Sequence, residues 1–290
     1  MLEVIQETLI DAFKLLPFLF ITYLIMEYIE HKMGQKTKKA IKKSGKWGPI
    51  IGSILGVFPQ CGFSVSATNL YAGRVITLGT LIAVYLSTSD EMLPIFISEA
   101  VSPIIILKIL GIKLVIGMIA GVIIDFIGHI ITKNKTITNT KEENDIEHIC
   151  DEEHCHCNES GIFKSAIHHT LSILLFIVII TFVINTVVYF VGEETIAGWI
   201  LNKPVIGPII TSLVGLIPNC AASVIITNMY LENVISLGSL ISGLLTGAGV
   251  GLAVLFKTNK RLKENIGIVA LLYVIGAISG IIIELIGISI

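Results

Sequence analysis

Charge is what this 290-residue chain has least of: Asp, Glu, Lys and Arg make up only 14% of it, against about 25% in an ordinary soluble domain. With 53% hydrophobic residues and a mean hydropathy of +0.86, a globular domain in water is excluded. The shortage of basic residues also removes the surface that nucleic acid requires, so no nucleic-acid partner is expected. Cysteine is scarce as well, with five in the chain. Two stand alone, Cys61 and Cys220, and three lie close together, Cys150, Cys155 and Cys157. That is not a disulfide framework, and free thiols suit a reducing cytoplasmic face.

Enzyme fingerprints are missing too. The sequence holds no His-Glu-x-x-His, Gly-x-Ser-x-Gly, Walker loop or Rossmann glycine pattern, so the chain is read as not an enzyme. Energy from ATP would need another subunit. A thiol oxidoreductase built on Cys61 and Cys220 is disfavoured, because neither belongs to a Cys-x-x-Cys and both sit in apolar runs where a thiolate is costly. A cleavable signal is not expected at the N-terminus, where Glu3, Glu7 and Asp11 stand in place of a basic region.

Long apolar stretches are what the chain has instead, for example 170–191 and 266–290. A helix needs about 20 such residues to cross the hydrocarbon core. The fold class is therefore all-α, a polytopic helical protein of the cell membrane, with the lipid bilayer as its obligatory partner.

Residues 48–81, GPIIGSILGVFPQCGFSVSATNLYAGRVITLGTL, recur without a gap at 207–240 as GPIITSLVGLIPNCAASVIITNMYLENVISLGSL. Eighteen of the 34 positions are identical, where chance would give roughly three, so the chain carries an internal duplication. The offset of 159 persists to the end, pairing Gly117, Gly121, Asp125 and Gly128 with Gly276, Gly280, Glu284 and Gly287. Three regions follow: a first transmembrane repeat over 1–131, a hydrophilic linker over 132–163, and a second repeat over 164–290.

In half one the spacing predicts a span at about 9–29, a proline-broken apolar helix at 47–72, two short spans across 75–110, and a last span at about 113–131. Whether 75–99 is two crossings or one broken crossing stays open at this stage. Half two repeats the plan as 170–190, 205–231, two short spans within 234–256, and 266–288. Loop charge fixes the count. Loop 31–46 holds seven lysines, while its equivalent 192–204 holds Glu193, Glu194 and one lysine. Loop 257–265 holds Lys257, Lys260, Arg261 and Lys263, while its equivalent 98–106 holds no basic residue. Five crossings per half put both basic loops in the cytoplasm and both poor ones outside. The expectation is about ten spans in two inverted-topology repeats, both termini outside, with the broken helices near the midplane, a plan that recurs in secondary transporters.

The candidate translocation site is the polar cluster at each break: Gln60, Cys61, Ser64, Thr68 and Asn69, and their equivalents Asn219, Cys220, Ser223, Thr227 and Asn228. Proline frees a backbone carbonyl, which in a bilayer must be met by protein, water or a bound solute. A thiol, amide oxygens, hydroxyls and free carbonyls converging there could replace a cation's hydration shell. The competing interpretation is that these side chains only bond helix to helix. If the two breaks are equivalent, replacing either Asn69 or Asn228 with alanine stops transport. Asp125 and Glu284, together with Asp90 and Glu91, are candidate coupling carboxylates, since an intramembrane carboxylate costs about 2.5–3.5 kcal/mol and is rarely idle.

The linker offers His148, Cys150, His154, Cys155, His156 and Cys157 within ten residues, among eight acidic residues over 132–163. Thiolate and imidazole select borderline-soft metals. The spacing is not that of a folded zinc finger, so a loose cytoplasmic capture segment is expected.

The paired Pro-[Gln/Asn]-Cys breaks, the Thr-Asn-x-Tyr after each, the Cys-His-Cys of the linker and SGIFKSAIHHTLSILLF together resemble a bacterial family of ten-span heavy-metal exporters. Its members are also known as manganese transporters or arsenic-efflux-like permeases. The resemblance implies metal export and carries over no catalytic residue. Manganese prefers carboxylate, carbonyl and water ligands, whereas arsenite and cadmium prefer thiolates. The midplane set is mostly oxygen, which tilts the expectation to a divalent cation, manganese slightly ahead of zinc. No permanently bound cofactor is expected, Mn2+ or Zn2+ being cargo, and a homo-oligomer is compatible with the sequence. A permease for arsenicals or another small solute is the alternative, and a static membrane metal sensor is the competitor from another class.

Overall fold

The computed structural model describes residues 47–57, 61–89, 92–134, 162–191 and 205–287, with isolated positions before residue 25. No strand occurs among them. The helices are α1 (Gly48–Gly56), α2 (Cys61–Ala72), α3 (Leu78–Ser87), α4 (Met92–Ser98), α5 (Pro103–Asn134), α6 (Ile162–Val191), α7 (Ile206–Gly215), α8 (Cys220–Leu231), α9 (Leu237–Thr246), α10 (Val250–Thr258) and α11 (Leu262–Ile286). Apart from those isolated positions the first span at 9–29 lies outside the described residues, as do loop 31–46 and linker positions 135–161.

The duplication reappears element by element. α2 and α8, and α3 and α9, have the same boundaries at the offset of 159. The turns before α3 and α9 each hold one residue in the left-handed region, Arg74 at φ 57° and Asn233 at φ 58°. Thr77 and Ser236 then cap the next helix, accepting from the amides of Thr80 and Ser239 at 3.1 and 3.2 Å.

Packing decides the direction of each helix. Gly48 abuts Thr80 and Gly56 abuts Ser87, so α1 and α3 lie in contact and run parallel. In half two Ser242 donates to the Pro208 carbonyl at 2.6 Å and Thr246 to the Ser212 carbonyl at 2.9 Å, which sets α7 parallel to α9. The chain must therefore run back through α2 and α8 between them. This corrects the expectation of single broken crossing helices at 47–72 and 205–231: each is a helical hairpin, with the proline falling between its arms. The arms are 9 to 12 residues long, about 14–18 Å at 1.5 Å per residue, too short to cross about 30 Å of hydrocarbon.

α5 lies antiparallel to α3, with Gly79 against Gly121 and Asp125, and Gly117 against Leu86. α11 meets α9 identically, with Gly238 against Gly280 and Glu284. Beyond Ser87 the chain passes a break and continues through α4 before α5 begins. Residues 75–99 thus form one interrupted stretch and not two short spans. Among the described residues four stretches are long and apolar enough to cross a membrane: Leu78–Ser98, Pro103–Ile130, Leu237–Thr258 and Leu262–Ile286. The first and third contain the breaks.

The halves share one core, in which Leu81, Ile82 and Tyr85 pack with Leu240, Ile241 and Leu244. They also exchange elements, since α10 packs on α2 and α4 packs on α8. Phe96 of α4 meets Tyr230 of α8 with ring centroids 6.3 Å apart. Arg74 pairs with Glu264 at 2.7 Å, and Tyr71 donates to the same carboxylate.

Candidate functional site

The hairpin tips are where the duplicated polar residues were expected to meet. Phe58, Pro59 and Gln60 lie outside the described residues, as do the side chains of Cys61 and Cys220 and all of Asp90 and Glu91. The six linker candidates, His148, Cys150, His154, Cys155, His156 and Cys157, lie outside them too.

α2 carries the best-defined part of the site. Ser64 and Thr68, one turn apart, are fully buried, and Asn69 is 2% exposed. The Thr68 hydroxyl donates to the Ser64 carbonyl at 2.7 Å and lies 2.5 Å from the Tyr85 hydroxyl. Both hydroxyls are 3.2 Å from the Gly251 carbonyl, in the first turn of α10. Gly251 permits this approach: a Cβ there would press on Ser64 at 3.0 Å. Oxygens from α2, α3 and the opposite half therefore converge just past the break between α9 and α10.

Asn69 differs from its neighbours. Among the described residues, neither its amide oxygen nor its amide nitrogen has a hydrogen-bond partner. Leaving a buried polar group unpaired costs about 1–3 kcal/mol, and native structures rarely carry one without a reason such as an ion or a water. The Ser53 hydroxyl on α1 is unpaired in the same way. Its equivalent, Ser212, bonds to Ser242, where half one has Ala83.

The second half gives a weaker copy. Asn219 sits at the N-cap of α8 in extended geometry and is 3% exposed. Ser223 and Thr227 are buried, and Thr227 donates to the Ser223 carbonyl at 2.6 Å. Asn228, however, is exposed. The equivalents of Tyr85 and Gly251 are Leu244 and Met92, so the cross-half oxygen cluster is not duplicated. The symmetry that placed Asn69 and Asn228 together in the sequence is broken by packing.

Asp125 has a definite place, and it is away from the tips. Its carboxylate accepts from the Thr77 hydroxyl at 2.6 Å and from the Gly79 amide at 2.8 Å. It thus anchors the N-terminus of α3, where a negative charge is favoured. Glu284 stands at the equivalent position beside Gly238. Asp125 serves the helix junction, and among the described residues no hydrogen bond joins either carboxylate to the polar cluster.

Two residues of this region escaped the sequence reading. Tyr85 had no signal beyond being a tyrosine in an apolar run. Lys113 did have one. It is fully buried in α5 and donates to the Thr88 carbonyl at the first break. It stands within a long apolar run, where an ionisable residue is functional by default.

A family model described as "Putative, 10TM heavy-metal exporter" matches residues 1–194. No curated protein and no solved structure matches the chain.

Proposed function

The chain belongs to the family of ten-span heavy-metal exporters, and we propose from that premise that it is a secondary exporter of a transition-metal cation. It works by alternating access about the two hairpins and the two interrupted spans, and it carries manganese in slight preference to zinc. The observation that carries this reading is Asn69, buried on α2 one residue after Thr68, with neither amide atom finding a partner among the described residues. A partly dehydrated cation supplies what the amide oxygen lacks, and a set that is mostly oxygen suits manganese better than thiolate-seeking metals. Measuring Mn2+ and Zn2+ flux in vesicles containing the purified protein tests this. Flux of neither ion would sink the cation reading.

Inverted repeats are part of the proposal. Arg74, just before α3, pairs with Glu264, just after α10. The start of one interrupted span is therefore level with the end of the other, which supports opposite directions. Loop charge supports it too. Reading each broken helix as a hairpin, and each pair of short spans as one interrupted span, removes an even number of crossings from each half. The loops that fixed the count keep their sides, the lysine-rich 31–46 and the basic 257–265 staying in the cytoplasm with the linker and 192–204 staying outside, while the short turns at 73–77 and 232–236 change sides. In a protein stripped of its own cysteines, single cysteines replacing Lys38 or Lys260 should resist an impermeant thiol reagent added outside. One replacing Glu194 should react. Equal labelling at 38 and 194 would overturn this topology.

The linker captures metal and is not the transport site, since it lies outside the duplicated bundle and has no counterpart. Replacing His148, Cys150, His154, Cys155, His156 and Cys157 together should weaken apparent metal affinity while leaving flux at saturating metal. Complete loss of saturated flux at normal expression would contradict it. A second reading, a permease for a neutral solute such as an arsenical, has one observation in its favour. The described side chains of the cluster are hydroxyls and an amide, with no carboxylate among them. Flux of arsenite without flux of either metal would select that reading.

A further inference from the structure

Charge ties the two halves together at one place, and the equivalent place lacks it. Arg74 donates to both oxygens of the Glu264 carboxylate, at 2.7 and 3.1 Å, and Tyr71 donates to the same group. The guanidinium also lies over the Tyr71 ring, 5.1 Å from its centroid. At the offset of 159, Tyr71 corresponds to Tyr230, but Arg74 corresponds to Asn233 and Glu264 to Ile105. Neither charge is repeated. Tyr230 meets the Phe96 ring instead.

Contacts that build each half, such as Gly79 on Asp125 and Gly238 on Glu284, occur twice. This one does not, and the backbone makes it costly. Arg74 holds φ 57°, a left-handed conformation that arginine disfavours and asparagine tolerates; Asn233 holds it in half two at φ 58°. A strained residue of this kind persists where its side chain has a task, and here the strain sets a guanidinium opposite Glu264. The pair can also part cheaply. Its side chains are 24% and 25% exposed, so water replaces each partner on separation, and such pairs add little net stability. Arg261 stands 4.0 Å from the same carboxylate, so Glu264 keeps a basic neighbour in its own half when Arg74 leaves.

The contact stands where its release matters. Tyr71 and Arg74 follow Asn69 by two and five residues at the end of α2, and Glu264 lies in the first turn of α11. We propose that Tyr71, Arg74 and Glu264 form a latch that holds the end of α2 against α11 at the cytoplasmic face, and that it opens in each cycle to admit the ion towards Asn69. This rests on the alternating-access reading and the topology given above. It adds that the two faces are gated differently, since Tyr230, Asn233 and Ile105 cannot form such a pair on the outer face.

In protein stripped of its own cysteines, Arg74→Cys with Glu264→Cys lets a bifunctional thiol reagent join the two elements. Joined protein should lose Mn2+ flux to background and regain it with reductant. Flux indifferent to the link would mean a permanent brace and would overturn the proposal. A second readout needs no transport. Ala72→Cys places a sole cysteine in the last turn of α2, at a position 5% exposed. Adding Glu264→Gln, or Arg74→Asn to copy Asn233, should speed its reaction with an impermeant thiol reagent at the cytoplasmic face of inside-out vesicles. The gain should be roughly threefold, the scale on which a partly exposed ion pair shifts an equilibrium, and the unfolding temperature should hold. Unchanged labelling in both variants, or a rise seen only from the outer face, would overturn the latch equally. Wild-type protein is assayed alongside: if it moves no metal the cation reading fails, and labelling still decides the latch.

Discussion

Asn69→Ala is expected to reduce metal flux to background while leaving the protein folded and no less stable than wild type. The two halves of that expectation have the same cause. The Asn69 amide is buried and has no hydrogen-bond partner among the described residues, so alanine removes an unpaired polar group and breaks none of the described hydrogen bonds. The unfolding temperature should hold or rise. Flux should collapse, because taking one oxygen from a dehydrated cation leaves a desolvation cost that the remaining ligands cannot offset. If Asn69 served only to hold helices together, its loss would be worth about 0.6 kcal/mol, the average for such bonds in a membrane, and flux would stay near normal. Asn228→Ala provides the comparison. The sequence places it as the equal of Asn69, but its exposure leads to a smaller loss of flux. Wild-type flux in Asn69→Ala would remove the proposed site.

The second large effect concerns folding. Gly79→Ala should leave little folded protein, because its Cβ would fall well inside contact with the Gly121 carbonyl and the Asp125 carboxyl group. Neither can withdraw easily. The first is backbone of α5, and the second is held by the Gly79 amide and the Thr77 hydroxyl. Overpacking of this kind costs about 1–3 kcal/mol where side chains can shift, and here two helix backbones must separate. Gly238→Ala meets the Gly280 carbonyl and Glu284 in the same way and should fail similarly. Gly111→Ala is the control. Nothing lies within 4 Å of a Cβ there, so helix propensity alone should make it neutral or slightly stabilising. Thermal unfolding of the detergent-purified proteins distinguishes these outcomes, and a normal unfolding temperature in Gly79→Ala would show that the α3–α5 contact is looser than described.

What the sequence conveyed about the site was its chemistry and its repetition, and less of its geometry. Ser64, Thr68 and Asn69 were legible because they follow a proline in a run that occurs twice. Tyr85 and Gly251 were not, because the contact that matters joins residues 166 positions apart across the two halves. Asp125 was legible as an intramembrane carboxylate but not in its role, since only packing sets α5 where that carboxylate reaches the start of α3. Lys113 could have been found from its position in an apolar run, without any structure.

The sequence by itself determined that this is an all-helical membrane protein built from two copies of one unit, because composition and self-similarity are properties of the chain read in order. It also marked the breaks, since proline removes a helical hydrogen bond wherever it stands. Tertiary structure alone decided what each break does. A helix interrupted by proline can run on or turn back, and the choice lies in whether the next helix packs parallel to the one before it, as α3 does to α1. Tertiary structure also decided which asparagine is buried. Among the described residues α2 packs extensively on α10, nine residues long, whereas α8 packs less on its equivalent α4, which has seven. Two segments that share six of their twelve residues thus come to lie in different surroundings, because burial depends on neighbours that local sequence does not contain.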